Sequence, residues 1–136
     1  VPIIVTQQYT KGLGPTIAPI AEALGPFDPI EKMTFSACGN DDVEARVLGS
    51  ARHHVILFGI ETHVCVLQTG LDLISQGQKA IVVEDCVSSR SANDKRIAIE
   101  RLRHAGAIIT SSESILFELL RVAGTEQFKQ ISALVK

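Results

Sequence analysis

The sequence predicts one α/β domain over residues 1–136, with a mostly parallel, Rossmann-like sheet in a three-layer α/β/α arrangement. Two observations predict this fold class. Apolar runs of strand length alternate with segments in which apolar residues recur at helical spacing. The links between these segments are short, which favours right-handed crossovers between parallel strands whose two faces are covered by helices.

Composition and charge fit an ordinary globular protein, since 46% of the residues are hydrophobic, 21% are charged and the net charge is −2. The thirteen Lys and Arg residues are scattered and are outnumbered by fifteen acids, which predicts no nucleic-acid partner. No apolar run approaches the roughly 18 residues of a membrane-spanning helix, and no signal-peptide pattern opens the sequence. Three cysteines at wide spacing predict no disulfide framework and favour a reducing, cytoplasmic location.

The first part of the chain combines one strand with a long loop. Residues 1–7 are apolar and β-branched, which predicts a buried strand with Pro2 tolerated at its start. Four prolines between positions 15 and 29 predict that most of residues 10–31 are irregular. A loop of that length is usually functional or disordered, so it is a candidate lid or rim of a site. Residues 31–38 predict a short extended segment.

Capping residues at helix starts and glycines at helix ends predict most of the other elements. In chain order, these are a helix to about Leu48 capped by Asp41 or Asp42, a strand over 80–84, a helix over 92–104 capped by Ser91, a strand over 107–110, a helix to about Val122 capped by Ser112 and closed by Gly124, and a last helix capped by Thr125.

The stretch from position 53 to 69 carries the functional prediction. Residues 54–58 predict a strand, Gly59 breaks it, and a helix runs from about Thr62 to about Gln76 with Cys65 in its first turn. In open α/β sheets the ends of strands and the starts of helices converge where chemistry is placed. The positive end of the helix dipole favours a thiolate there. Cys65 is therefore a candidate nucleophile.

Four segments resemble one known family. Gly59–Thr69 resembles the cysteine motif of the isochorismatase-like hydrolases, and Lys32–Ser36 resembles their lysine segment. Thr6–Gly14 and Asp85–Arg90 look like the subgroup called isochorismatase domain-containing proteins. The resemblance covers essentially the whole chain. The cysteine motif is fairly specific in this context, whereas the lysine motif alone is weak.

The resemblance implies an isochorismatase-like fold with a Cys–Lys–Asp triad on a six-stranded parallel sheet. Cys65 would be the nucleophile that attacks an electrophilic carbon, and the positive charge of Lys32 would stabilise its thiolate. The resemblance also implies a cis peptide bond between Ile60 and Glu61. The backbone N–H groups of Glu61 and Cys65 would then form the oxyanion hole.

The third member of the implied triad has no counterpart in this chain. In the family the aspartate closes the first strand, which would lie upstream of Val1 and in the interior of the sheet. We therefore expect the domain over residues 1–136 to be incomplete at its N-terminus and its sheet to contain a gap. Residues 1–136 alone would then give neither a stable fold nor triad catalysis.

Several residues near the predicted site have two interpretations. Gln8 and Tyr9 either line the substrate pocket or anchor the loop that follows the first strand. Ile60 and His63 are predicted substrate contacts, although the sequence alone favours His63 as a solvated residue of the first helical turn. A carboxylate at Glu61 beside the oxyanion hole suggests a cationic or amide substrate rather than an anion.

Metal binding is not predicted. His53 and His54 are adjacent, so in a strand their side chains point to opposite faces. The nicotinamidase branch of the superfamily carries an Asp/His metal cluster after its second strand, whereas this chain has Gln7–Tyr9 there. No metal, no other cofactor and no nicotinamide substrate are therefore predicted. Asp85 and Arg90 are predicted to form a structural ion pair in a loop.

The leading functional hypothesis is a metal-independent cysteine hydrolase that acts on a small amide, ester or vinyl-ether substrate. The resemblance also implies a homo-oligomer. The alternative is a non-catalytic binding or scaffold protein that retains the fold. Thiol reactivity separates the two, because ordinary reactivity at Cys65 favours the scaffold and strongly enhanced reactivity favours the enzyme. A nucleotide-binding Rossmann module is disfavoured, because no G-x-G-x-x-G follows the first strand.

Overall fold

Five strands lie in two parallel sheets in the computed structural model, which describes all 136 residues of the chain. The strands are β1 (Thr6–Gln8), β2 (Ile30–Lys32), β3 (His54–Ile60), β4 (Lys79–Ser88) and β5 (Ile108–Thr110). The α-helices are α1 (Thr10–Leu13), α2 (Ala18–Leu24), α3 (Asp41–Leu48), α4 (Leu67–Ser75), α5 (Ala92–Ala105), α6 (Ser112–Leu120) and α7 (Glu126–Leu134). A 3₁₀ turn covers Ala37–Gly39, and a π-helical turn covers Thr62–Val66. The predicted α/β class is confirmed.

The strands are divided between two separate ladders. β1 pairs with β2, with Thr6 opposite Ile30, whereas β3, β4 and β5 form the other sheet in that order. Every pairing is parallel, as the alternation of strands and helices predicted. One edge of β1 and one edge of β3 therefore have no partner strand, and the gap expected from the resemblance stays a prediction.

The core is centred on β4. Four consecutive residues of this strand, Ala80–Val83, are buried. Because successive side chains of a strand point to opposite faces, both faces of β4 are covered. Helices α4 and α5 pack together where Gly70 meets Leu102, and a Cβ on Gly70 would lie only 2.5 Å from Leu102 Cδ2. Helix α6 also contacts β4. Helices α4, α5 and α6 therefore cover the second sheet, which is formed by β3, β4 and β5.

The N-terminal elements differ from the predicted ones. The predicted strand over residues 1–7 is wrong for most of its length, because only Thr6–Gln8 find a partner strand, and Val1 is 84% exposed. The predicted irregular segment contains helices α1 and α2. Pro19 lies in the first turn of α2, where its missing N–H breaks no helical hydrogen bond, so this proline is compatible with a helix.

Helix caps were predicted with mixed success. Ser91 accepts from the Asp94 N–H and Thr125 accepts from the Phe128 N–H, which confirms both predicted caps. The other two helix starts lie one residue earlier than predicted, with Asn40 capping α3 and Ser111 capping α6. A cap requires a side-chain oxygen that reaches the N–H groups two or three residues later, and only the earlier residue satisfies this geometry. Helix α6 ends at Leu120 rather than near Val122.

Candidate active site

The end of β3, which precedes the candidate nucleophile, is irregular. Leu57 lies opposite Val82 in β4, but Gly59 lies opposite Val87, so the register shifts between these two residues of β3. Gly59 has a φ of 119°, a conformation that side chains other than glycine strongly disfavour. Pairing then resumes with Ile60 opposite Ser88. The last residues of β4 therefore run beside the turn that follows β3.

Cys65 lies partly buried in the π-helical turn that leads into α4. Such turns recur at functional sites. The preceding Thr62 is fully buried, and its hydroxyl donates to the Ser88 carbonyl at 2.9 Å. The Ile60–Glu61 peptide bond is cis, which is the geometry that the resemblance implied. The Glu61 N–H makes no hydrogen bond within the chain. A donor without a partner therefore lies close to the thiol in sequence, at the start of the same turn.

Lys32 lies at the end of β2 and is only 5% exposed. Its Nζ donates to Gln8 Oε1 at 2.6 Å and to the carbonyls of Thr34 and Phe35 at 2.9 Å each. Three acceptors match the three N–H bonds of an ammonium group. Burial lowers the pKa of Lys32 from its ordinary value, whereas the nearby Cys65 acts in the opposite direction. The charge of Cys65 therefore influences the pKa of Lys32, and the catalytic role of the pair stays a prediction.

Gln8 and Tyr9 both support the lysine segment. Gln8 accepts from Lys32 and donates through Nε2 to the Met33 carbonyl at 2.9 Å. Tyr9 donates through its N–H to the Lys32 carbonyl at 3.2 Å, and its ring packs against Gly12. These contacts correspond to the anchoring interpretation, and contact of either side chain with a substrate stays a prediction.

His63 contacts protein groups through both ring nitrogens. Its Nδ1 lies 3.0 Å from Ser89 Oγ, and its Nε2 lies 3.5 Å from Glu61 Oε2. Its backbone N–H also donates to Ser89 Oγ at 3.4 Å. The ring is only 19% exposed, so His63 is not a solvated residue of the first helical turn. Its predicted contact with substrate is untested, as is that of Ile60, whose side chain is exposed.

The predicted ion pair between Asp85 and Arg90 is wrong. Asp85 instead accepts from the N–H and hydroxyl of Ser112 at 2.8 and 2.5 Å, and these hydrogen bonds hold its pKa below the ordinary value. Arg90 contacts Glu61: its N–H donates to Oε1 at 3.1 Å, and its Nε lies 3.8 Å from Oε2. Sequence reasoning missed the roles of Arg90 and Ser89, although their position directly after β4, at the same sheet edge as Cys65, was a usable signal.

Neither a metal cluster nor a membrane helix is present among these elements. No three His, Cys, Asp or Glu side chains lie close enough together to hold a metal ion. None of the helices has the length and apolar character needed to cross a membrane. Metal independence stays a prediction, since it rests on the sequence of the site.

A family model decides the relationship of the chain to known proteins. The isochorismatase domain matches residues 1–114. The chain belongs to the isochorismatase family. Its mixed α/β architecture with parallel strands agrees with the fold of isochorismatase-like structures, and family membership supports a hydrolase in general terms.

Relatives of this isochorismatase-family chain include proteins of several eukaryotes. The secreted isochorismatase effector Isc1 of Phytophthora sojae is 44% identical over 141 residues, which cover 100% of this chain and 67% of that protein. Isochorismatase domain-containing protein 2A of Mus musculus is 41% identical over 138 residues, covering 100% of this chain and 65% of that protein. The predicted subgroup is confirmed by such matches. The chain spans about two thirds of the length of these relatives.

A solved structure from Caenorhabditis elegans, described as the MAR1 ribonuclease, has the same fold. It superposes with a TM-score of 0.89 at 41% identity, and the match covers 99% of this chain and 69% of that protein. Proteins that share this fold therefore bear different functional names, so the fold by itself does not identify a substrate.

Proposed function

We propose that this isochorismatase-family protein is a metal-independent cysteine hydrolase that acts on a small amide, ester or vinyl-ether substrate. The observation that carries the proposal is the buried Lys32 ammonium group, whose pKa is influenced by the charge of Cys65. A fixed positive charge in a partly water-excluded place stabilises both a thiolate and the negative charge that develops during attack on a carbonyl.

For an amide or ester, the Cys65 sulfur forms a bond to the carbonyl carbon, and the carbonyl oxygen becomes an oxyanion. The unpaired Glu61 N–H and the Cys65 N–H are the proposed donors to that oxygen. Collapse of the intermediate breaks the bond to the amine or alcohol, which leaves with a proton. Water then hydrolyses the thioester and regenerates the thiol. The resemblance assigns proton transfer to an aspartate with no counterpart among residues 1–136.

Lys32 acts in this proposal as a charge rather than as a proton donor. All three of its N–H bonds are directed at Gln8 and at two backbone carbonyls, so donation to a substrate would require breaking one of these contacts. The proposed donors to the reacting oxygen are then backbone N–H groups, which carry no charge and need no change of protonation.

The decisive experiment compares Cys65→Ala with Cys86→Ala as a matched control. Cys86 is an exposed thiol whose pKa is raised by partial burial and by Asp85, so its removal should leave catalysis unchanged. Cys65→Ala should abolish both acyl-enzyme formation with p-nitrophenyl acetate and its hydrolysis, measured by intact mass and nitrophenolate release. Wild-type rates of acylation and hydrolysis in the Cys65→Ala protein would refute the proposal.

The non-catalytic alternative makes a different prediction for the same thiols. A binding or scaffold protein has no need for an activated nucleophile, so Cys65 should then react with iodoacetamide no faster than an unstructured cysteine peptide. The hydrolase predicts a clearly faster reaction at Cys65 than in the peptide. Peptide mapping after limited alkylation distinguishes the two.

RNA cleavage is a second candidate function, and it rests on the 41% identity to the MAR1 ribonuclease. The site contains a histidine and an arginine linked through Glu61, which are residue types suited to proton transfer and phosphate binding. This candidate contradicts the sequence prediction of no nucleic-acid partner. A fluorogenic RNA cleaved equally well by the wild-type and Cys65→Ala proteins would favour it over the cysteine hydrolase.

A homo-oligomer and a cytoplasmic location are also part of the proposal. Large apolar side chains such as Phe58 and Met33 are exposed, and such side chains are often covered in assemblies. Light scattering during gel filtration measures the assembly directly. One relative is named as a secreted effector, so the location is best tested by imaging a tagged protein in its own cell.

A further inference from the structure

Residues 61–63 and residues 88–90 are joined by contacts in both directions. The Thr62 hydroxyl donates to the Ser88 carbonyl, and the His63 N–H donates to the Ser89 hydroxyl oxygen. In the other direction, the Arg90 N–H donates to the Glu61 carboxylate. The two segments are 26 to 29 positions apart in the chain. The turn before Cys65 is therefore held by the end of β4 as well as by its own backbone hydrogen bonds, in which the Val64 and Val66 N–H groups donate to the Glu61 carbonyl.

Both carboxylate oxygens of Glu61 are engaged. Oε1 accepts from the Arg90 N–H at 3.1 Å, and Oε2 lies 3.5 Å from His63 Nε2 and 3.8 Å from Arg90 Nε. Nε2 of His63 therefore faces a carboxylate oxygen. Nδ1 of the same ring lies 3.0 Å from the Ser89 hydroxyl oxygen. Both ring nitrogens therefore face groups of the protein.

We propose that His63 and Ser89 are positioning residues that aim the Glu61 N–H at the reacting oxygen. This inference rests on the proposed function. Ser89 orients the imidazole, the imidazole holds the Glu61 side chain, and a fixed side chain prevents rotation of the residue whose N–H is unpaired. The segment after β4 thereby becomes part of the catalytic machinery without contacting the substrate.

The effect should be seen only in steps that generate an oxyanion. In acylation by p-nitrophenyl acetate, the Cys65 sulfur bonds to the acetyl carbon, negative charge develops on the carbonyl oxygen, and the ester C–O bond breaks as p-nitrophenolate leaves with the bonding electrons. In alkylation by iodoacetamide, the same sulfur bonds to the methylene carbon and iodide leaves, with no charge on the carbonyl oxygen. The ratio of the two rates isolates the oxyanion donors from the reactivity of the thiol.

Two variants remove the two halves of the linkage. Ser89→Ala removes the hydroxyl at Nδ1, and His63→Asn keeps an amide near Ser89 while losing the group that contacts Glu61. Each should slow acylation of the full chain about tenfold, which is less than the 10²–10³ expected for complete loss of an oxyanion donor. Iodoacetamide alkylation should stay within about twofold of wild type, since it needs only the thiolate. Ser89→Thr keeps the hydroxyl and should restore acylation.

The matched control is Ser75→Ala, which removes an exposed serine hydroxyl that donates to a backbone carbonyl at the end of α4. It should change neither rate. The inference is overturned if Ser89→Ala and His63→Asn acylate at the wild-type rate, or if acylation and alkylation fall together, since that would indicate a purely structural role. The proposed function fails separately if the wild-type protein is not acylated at Cys65 by this ester.

Discussion

The two sheets hold their functional residues by different means. The sheet that leads to Cys65 has strands of seven and ten residues, and Leu73, Val82 and Leu102 in and around it are fully buried. The sheet that carries Lys32 has two strands of three residues each, and the adjacent helices α1 and α2 bury no residue completely. The nucleophile thus rests on apolar packing, whereas the lysine is held mainly by hydrogen bonds. Stability and activity should therefore respond differently to changes in the two regions.

The largest expected effect on stability comes from the core of the second sheet. Leu102 is 0% exposed, so Leu102→Ala should lower the free energy of unfolding by about 2–5 kcal/mol through lost burial and a cavity. Leu13→Ala in helix α1, where the side chain is 73% exposed, should cost less than about 0.5 kcal/mol. Urea denaturation measures both. Equal losses of unfolding free energy in the two variants would show that the two regions do not differ in packing energy.

Substitution of Lys32 tests the region that is held mainly by hydrogen bonds. Lys32→Met keeps much of the apolar stem but removes the charge, and it should lower kcat/KM for an ester by about 10²-fold because the thiolate and the oxyanion lose their fixed counter-charge. Its cost in unfolding free energy should be smaller than that of Leu102→Ala. Lys79→Met, at an exposed position in β4, is the control and should leave the kinetics unchanged. Retention of wild-type kcat/KM by Lys32→Met would remove Lys32 from the mechanism.

Two glycines sharpen the comparison further, because a methyl group at either one meets a side chain. At Gly70 it would lie 2.5 Å from Leu102 in the packed interface between α4 and α5, and Gly70→Ala should cost about 1 kcal/mol or more. At Gly12 it would meet the partly exposed ring of Tyr9, which can swing into solvent, so the change in stability should be within about 0.5 kcal/mol.

Tyr9 also provides the measurement for the second glycine. It is the only tyrosine, and the chain contains no tryptophan, so intrinsic fluorescence reports on this ring alone. Gly12→Ala should change the tyrosine emission of the folded protein while the urea midpoint hardly moves. An unchanged emission, or a loss of stability as large as that of Gly70→Ala, would contradict the proposed freedom of the ring.

The smallest expected effect is the pH dependence that Asp85 contributes. Its hydrogen bonds with Ser112 lower its pKa in the folded state, so folding favours the carboxylate. The resulting stabilisation is complete above the unfolded-state pKa of about 3.9 and is lost as the pH falls through the lower folded-state pKa. Between neutral pH and about pH 3 the wild-type protein should therefore lose more stability than Asp85→Asn. Identical losses in the two proteins would exclude this linkage.

Local signals predicted much of the second sheet and its helices. The apolar run before Gly59, the caps at Ser91 and Thr125, and the helical period after Cys65 each depend on residues a few positions apart, so they can be read in order along the chain. The sequence motif also indicated the neighbourhood of Cys65 and Lys32, which the structure brings into electrostatic range.

Pairings between distant residues were not predictable from local patterns. The strand at residues 1–7 failed because apolar, β-branched composition indicates a preference for extended structure but not whether a partner strand lies beside it. The contacts of Gln8 with Lys32 and of Glu61 with Arg90 join residues 24 and 29 positions apart. Asp85 and Arg90 had suitable charges for each other, but the register shift in β4 directs them to different partners.

At that register shift, β4 contains a short exposed spacer with no counterpart in β3. Residues 84–86 are exposed and lie between the buried part of β4 and the residues that resume pairing beside Gly59 and Ile60. Each residue of extended chain spans about 3.3 Å, so adding or removing one in this spacer would displace Ser89 and Arg90 by up to that distance relative to Glu61. Ala80–Val83 would keep their places in the core. A change of length in this spacer would therefore move the contacts of Glu61 without moving the buried part of the strand.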